Sequence, residues 1–143
     1  MKRKSLIAML LVLVFLMSSL QVMAAAKATA TSTVKKPSAK AHQTTATDTV
    51  SWSKVKGAQK YTVYRRKVTV IGNNTNCSAW KSVKTADAGT VKAVFKRTIP
   101  VYETVVYDGG KSYVQYSVVP ALKKGAGSRM TTGKLSTTRY IRK

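Results

Sequence analysis

The order of apolar and polar positions divides the chain into three stretches. A basic start, Met1-Lys2-Arg3-Lys4, leads into an apolar run over residues 6–17, then Ser18-Ser19 and the small residues Ala24-Ala25-Ala26. Residues 27–47 are mostly Ala, Thr, Ser and Lys, with Val34 the one large apolar residue. From Asp48 onward, short runs rich in Val, Tyr and Thr alternate with Gly- and Asn-containing breaks. Alternation with a period of two marks a strand with one buried face, and the breaks mark turns.

Read this way, residues 49–52 turn Val50 and Trp52 inward, and Gly57-Ala58 is a turn. Residues 60–71 form the longest predicted strand, with Tyr61 and Val63 on one face and Thr62 and Tyr64 on the other. The basic run Arg65-Arg66-Lys67 interrupts it, and Gly72-Asn73-Asn74-Thr75-Asn76 is a loop by composition. Brief strands follow at 80–83 and 91–99, Pro100 breaks the second, and 101–107 forms another. Asp108-Gly109-Gly110-Lys111 is a tight turn, 112–121 puts Val114, Tyr116 and Val118 on one face, and 129–141 is a final Thr-rich strand. Many short strands and no amphipathic helix predict an all-β sandwich or barrel.

The first stretch has the order of a secretory signal peptide over residues 1–26, cleaved after Ala24 or Ala26. Its apolar run is short beside the roughly 20 residues a membrane-spanning helix needs, which favours cleavage over anchoring. No later run is apolar enough to cross a membrane, so the mature chain is expected outside the cell, secreted or associated with the cell wall. Residues 27–47 have little to bury against the entropy of ordering, and are expected to form a flexible basic tether, with a weak first strand over 39–47 as the alternative. The folded domain is then 48–143.

The string Val50-Ser51-Trp52, Gly57-Ala58, Tyr61-Thr62-Val63-Tyr64-Arg65 resembles the second and third strands of fibronectin type III domains in secreted bacterial proteins. Trp80-Lys81-Ser82-Val83 resembles the edge strand that follows, and residues 108–118 resemble the turn into the sixth strand. The resemblance implies an immunoglobulin-like, two-sheet sandwich over about residues 45–142 that serves as spacer or binder, not as catalyst. It also implies a tyrosine whose hydroxyl folds back onto the backbone, a part for which Tyr113 and Tyr116 compete. The fold-defining residues are then Val50, Trp52, Tyr61, Val63, Tyr113, Tyr116 and Val118.

Charge changes the picture most. Three of the 26 basic residues leave with the signal, so 23 face four acids, a formal +19. Such a chain concentrates near polyanions. Secretion narrows the partner to an anionic cell-wall polymer or polysaccharide, with nucleic acid bound only non-specifically; the alternative partner is a protein. Tyr64, Arg65, Arg66 and Lys67 set an aromatic beside three cations, and Lys123, Lys124 and Arg129 border a loop. These seven are the candidate anion-binding residues, suited to charge attraction and stacking. Trp80 is open between packing on the sandwich and offering a sugar-stacking face.

Catalysis finds little to use. The four acids are Asp48, Asp87, Glu103 and Asp108, of which Asp87 and Asp108 lie beside turn glycines. The single cysteine, Cys77, and the single histidine, His42, lie in separate stretches, and His42 has no ligand-type neighbours. The expectation is a binding module with no cofactor and no metal. A lone Cys77 also cannot cross-link its own chain, so the fold must stand on its hydrophobic core.

Overall fold

Ten strands and no helix make up the described residues, 25–104 and 110–142, of the computed structural model. The proposed signal peptide lies almost wholly outside them, as do Asp108 and Gly109 of the predicted turn. The strands are β1 (Ala28–Val34), β2 (Gln43–Trp52), β3 (Ala58–Ile71), β4 (Asn74–Cys77), β5 (Lys81–Asp87), β6 (Lys92–Tyr102), β7 (Lys111–Leu122), β8 (Gly125–Ala126), β9 (Met130–Leu135) and β10 (Tyr140–Ile141). One sheet has the order β1-β2-β6-β10. In the other, β3 and β7 are central, β4 and β5 flank β3, and β8 and β9 flank β7. All pairings are antiparallel except β10 on β6. The two sheets are consistent with a β-sandwich.

The core sits where the period-two pattern puts it. Val50 and Trp52 from β2, Ala93 from β6, Tyr61 and Val63 from β3, Tyr116 and Val118 from β7, and Met130 and Leu135 from β9 meet in one cluster. Trp52 and Tyr61 cross with ring centroids 5.6 Å apart, and Phe95 stacks on Tyr116 at 5.2 Å. Such pairs add roughly 0.5–1.5 kcal/mol to the burial of their area. The Trp52 indole N–H has no hydrogen-bond partner among the described residues. Gly57, with φ of 80°, makes the turn that brings β3 back towards β2, a backbone conformation that side chains resist.

Several expectations are corrected. The proposed tether, residues 27–47, is not a free arm: β1 lies within it and pairs residue for residue with β2, from Ala28 opposite Trp52 to Val34 opposite Ala46. The sandwich therefore begins at Ala28, well before Asp48. In β1, Ala28, Ala30, Ser32 and Val34 lie half-buried and the threonines between them are exposed. The alternation is genuine, but Ala and Ser give it almost no hydrophobic contrast. Backbone hydrogen bonding to β2 and the β-propensity of Thr carry this strand.

Pro100 does not end its strand either. β6 runs through it to Tyr102, with Gln43 opposite Pro100. The neighbouring Val101 N–H donates to the His42 carbonyl, so the N of Pro100 faces away from β2, where β10 joins only from Val101 onward. A missing N–H costs little there. Part of the expected 72–76 loop is β4, joined to β3 by a tight turn in which Gly72 has φ of 56°. The basic run leaves β3 unbroken. The expected final strand is two: β9 in the β3–β7 sheet, then β10 in the other after the chain crosses at 136–139. The tyrosine whose hydroxyl meets the backbone is neither Tyr113 nor Tyr116; Tyr61 takes this contact, accepting from the Val55 N–H at 2.9 Å. Tyr113 is only half-buried, with the Lys134 ammonium 5.9 Å from its ring centre, so it is not a core residue.

Candidate functional site: a cationic ladder and an inter-sheet cleft

The row Tyr64-Arg65-Arg66-Lys67 does not act as a row. Alternation along β3 sends Tyr64 and Arg66 to the outer face of the sheet, and sends Arg65 inward after Tyr61 and Val63. On the outer face the Arg66 guanidinium lies 4.3 Å from the ring centre of Trp80, in the link between β4 and β5. Arg129, just before β9, lies 5.1 Å from the same ring and 4.9 Å from that of Tyr64. The result is a ladder, Arg66–Trp80–Arg129–Tyr64, that interleaves cations with aromatic faces.

The ladder is held from beneath by buried polar groups. Arg66 donates from Nε and Nη2 to the Gln115 side-chain oxygen at 2.9 and 2.8 Å, and Gln115 donates to the Thr132 carbonyl at 2.9 Å. Arg129 donates to the Ser117 hydroxyl at 2.5 Å. Gln115, Ser117 and Thr132 are all buried. Both guanidiniums are thus oriented by neutral partners, and neither has a carboxylate partner among the described residues. Trp80 serves as the central aromatic, a role the sequence left open, because its partners come from strands far away in the chain. Lys123 and Lys124 sit apart from the ladder, exposed in the turn between β7 and β8.

A second feature lies between the sheets, where β3, β5, β6 and β7 leave a cleft of about 1270 Å³. Arg65, Lys67, Lys81, Lys96, Arg97 and Lys111 are among its lining residues, and none of the described lining residues is acidic. Arg66 contributes to both the cleft and the ladder.

Next to the cleft is a buried ionic network that sequence reasoning missed. Asp48 is fully buried on β2. Arg97 of β6 binds it through Nε to Oδ2 and through Nη2 to Oδ1 at 2.9 Å. Ser32 of β1 donates to Oδ1 at 2.7 Å, and Tyr116 of β7 donates to Oδ2 at 2.7 Å from the opposite sheet. Arg97 also donates to the Thr137 carbonyl at 2.9 Å, which ties down the crossing to β10. Both carboxylate oxygens accept two hydrogen bonds, about the full capacity of the group. Burial pushes the Asp48 carboxyl up, but the hydrogen bonds from Arg97, Tyr116 and Ser32, with the Arg97 charge, outweigh it and hold the group below the ordinary 3.8. Burial, then the Asp48 bond and charge, push the Tyr116 phenol up to about 12, with nearby Arg65 acting the other way. A clue was present in the chain: Asp48 shares parity with Val50 and Trp52. Its meaning depends on Arg97 and Tyr116, which only the fold brings to it.

Other reactive groups stay dispersed. Glu103 is exposed and binds Arg142 at 3.0 Å, Cys77 is exposed on β4, and His42 is exposed just before β2. No group of His, Cys, Asp or Glu among the described residues is arranged to hold a metal ion. No protein-family model, curated protein or solved structure matches the chain.

Proposed function

We propose that this chain is a secreted, non-catalytic adhesion module, resembling a fibronectin type III domain, that holds anionic polymers of a cell surface or extracellular matrix. The strand order supports the fold-family reading: β1, β2 and β6 lie in one layer, and β5, β3, β7 and β9 in the other. The observation that carries the binding reading is the ladder. Arg66 and Arg129 are fixed by aromatic faces and neutral acceptors, so their charge is preorganised, with no carboxylate partner among the described residues. Preorganised cations lose less entropy on meeting an anion than free side chains do. Tyr64 and Trp80 add contact area, and the exposed Lys123 and Lys124 add to the general attraction.

Retention of the protein on an anionic polysaccharide column, eluted with stepped salt, tests the reading. The four cations Arg66, Arg129, Lys123 and Lys124 on a flexible chain predict a slope of about −3 in log affinity against log salt. Arg66→Gln/Arg129→Gln should elute at clearly lower salt than Lys123→Gln/Lys124→Gln, which removes the same charge. Retention unchanged in molar salt contradicts the proposal.

A second reading has a specific observation behind it. All four residues of edge strand β4 are exposed, and Ile71 beside it is 56% exposed. An edge of this kind pairs with a strand of another protein. Capture of a protein partner that survives moderate salt and is lost in Ile71→Lys would favour this alternative.

A further inference from the structure

The inner faces carry charge where a sandwich ordinarily carries core. Arg65 points inward beside Tyr116, and Lys67 lies opposite Val114, which packs against the core. Lys81 is the direct cross-strand partner of Arg65, so two cations share one face side by side. Like charges placed this way destabilise a sheet. Lys96 comes from the other layer, where Arg97 is already paired with Asp48, which accepts as many hydrogen bonds as it can hold. The cleft thus draws cations from both sheets, and none of its described lining residues offers a counter-charge.

We propose that the inter-sheet cleft is a binding site for a chain of linked phosphates, separate from the outer ladder except for the Arg66 they share. The proposal rests on the anion-binding reading above and adds the place and the ligand's chemistry. Cations converging from two walls suit a tetrahedral oxyanion, whose oxygens point in several directions; a planar carboxylate offers two oxygens in one plane. Arg65 presents a forked donor of the kind that matches phosphate, Arg97 already spends its fork on Asp48, and the lysines act as point charges towards the opening. The volume, about 1270 Å³, exceeds the roughly 300–1,000 Å³ of ordinary small-molecule sites, so a run of several phosphates fits better than a single ion. A bound chain would also separate the paired cations Arg65 and Lys81, so binding stabilises the fold.

The test is titration calorimetry on the full chain at constant ionic strength, with sodium tripolyphosphate and a poly(glycerol phosphate) as separate probes. Lys67→Gln/Lys81→Gln is compared with Lys123→Gln/Lys124→Gln, which removes the same charge outside the cleft. All four lysines are exposed, so folding should survive, and circular dichroism checks that it does. The expected result is at least about a tenfold loss of affinity in the cleft pair and less than about twofold in the turn pair, since charge-assisted contacts are the strong ones. Cleft-dependent binding of tripolyphosphate points to free polyphosphate, and of the polymer alone to a wall-type phosphodiester; either upholds the site. Equal losses in the two pairs, equal competition by a sulfated polysaccharide of matched charge, or no binding of either probe overturns it. Column retention that depends on Arg129 but not on Lys67 or Lys81 would leave the ladder reading standing while the cleft fails.

Discussion

Asp48→Asn is the sharpest perturbation of the fold, because the substitution keeps the shape and removes only the charge. In the folded protein Asp48 accepts from Arg97, Ser32 and Tyr116, all of them donors. An asparagine amide must turn its NH₂ towards at least one of these donors, and Arg97 loses its counter-charge. Leaving one partner of a buried pair uncompensated costs about 3–5 kcal/mol. That is a large share of the roughly 5–15 kcal/mol that stabilises a typical domain. With a urea dependence of about 1–3 kcal/mol per molar, the unfolding midpoint should fall by roughly 2 M at neutral pH.

The pH dependence gives an independent check. The folded carboxyl lies below its ordinary 3.8, so in acid the unfolded chain binds more protons than the folded one. The contribution of Asp48 is therefore complete above the unfolded value and is lost as pH falls through the folded one. Urea unfolding followed by tryptophan fluorescence at neutral and acid pH should show the wild type converging on the variant in acid. Asp48→Leu combined with Arg97→Met should be more stable than either single change, because it removes both charges together. A neutral-pH loss below about 1 kcal/mol in Asp48→Asn, or a double variant worse than both singles, would refute the reasoning.

Two further outcomes are expected. The Tyr116 phenol, pushed up to about 12, contributes stability that is present below its ordinary 10.0 and is lost as pH rises from there through the folded value; spectrophotometric titration of unfolding should show an alkaline transition that Tyr116→Phe flattens. Trp52→Phe should stay within about 1 kcal/mol of wild type in urea unfolding, because the lost volume is offset by removal of a buried N–H without a partner among the described residues, whereas Trp52→Ala should cost about 3–5 kcal/mol.

Where side chains differ strongly in polarity, the strands could be read directly. Val50 and Trp52, Tyr61 and Val63, and Tyr116 and Val118 alternate with polar neighbours, and each of them is buried in the structure. β1 escaped because its contrast is between Ala and Thr, which differ little in what they gain from burial. Its place follows from hydrogen bonding to β2, a long-range pairing that no local pattern encodes.

The candidate site was legible as composition and not as geometry. Residues 64–67 announce charge beside an aromatic, but a strand sends neighbours to opposite faces, so Arg66 joins the outer ladder and Arg65 enters the inter-sheet cleft. Local alternation, which depends only on backbone geometry and side-chain polarity, was enough to indicate an all-β chain and most of its core. The partners of Trp80, the carboxylate sink for Arg97 and the cleft between the layers were decided by the packing of distant strands. An ion pair or a cation–aromatic contact acts over a few ångströms of space, and the distance between its members along the chain carries no trace of it.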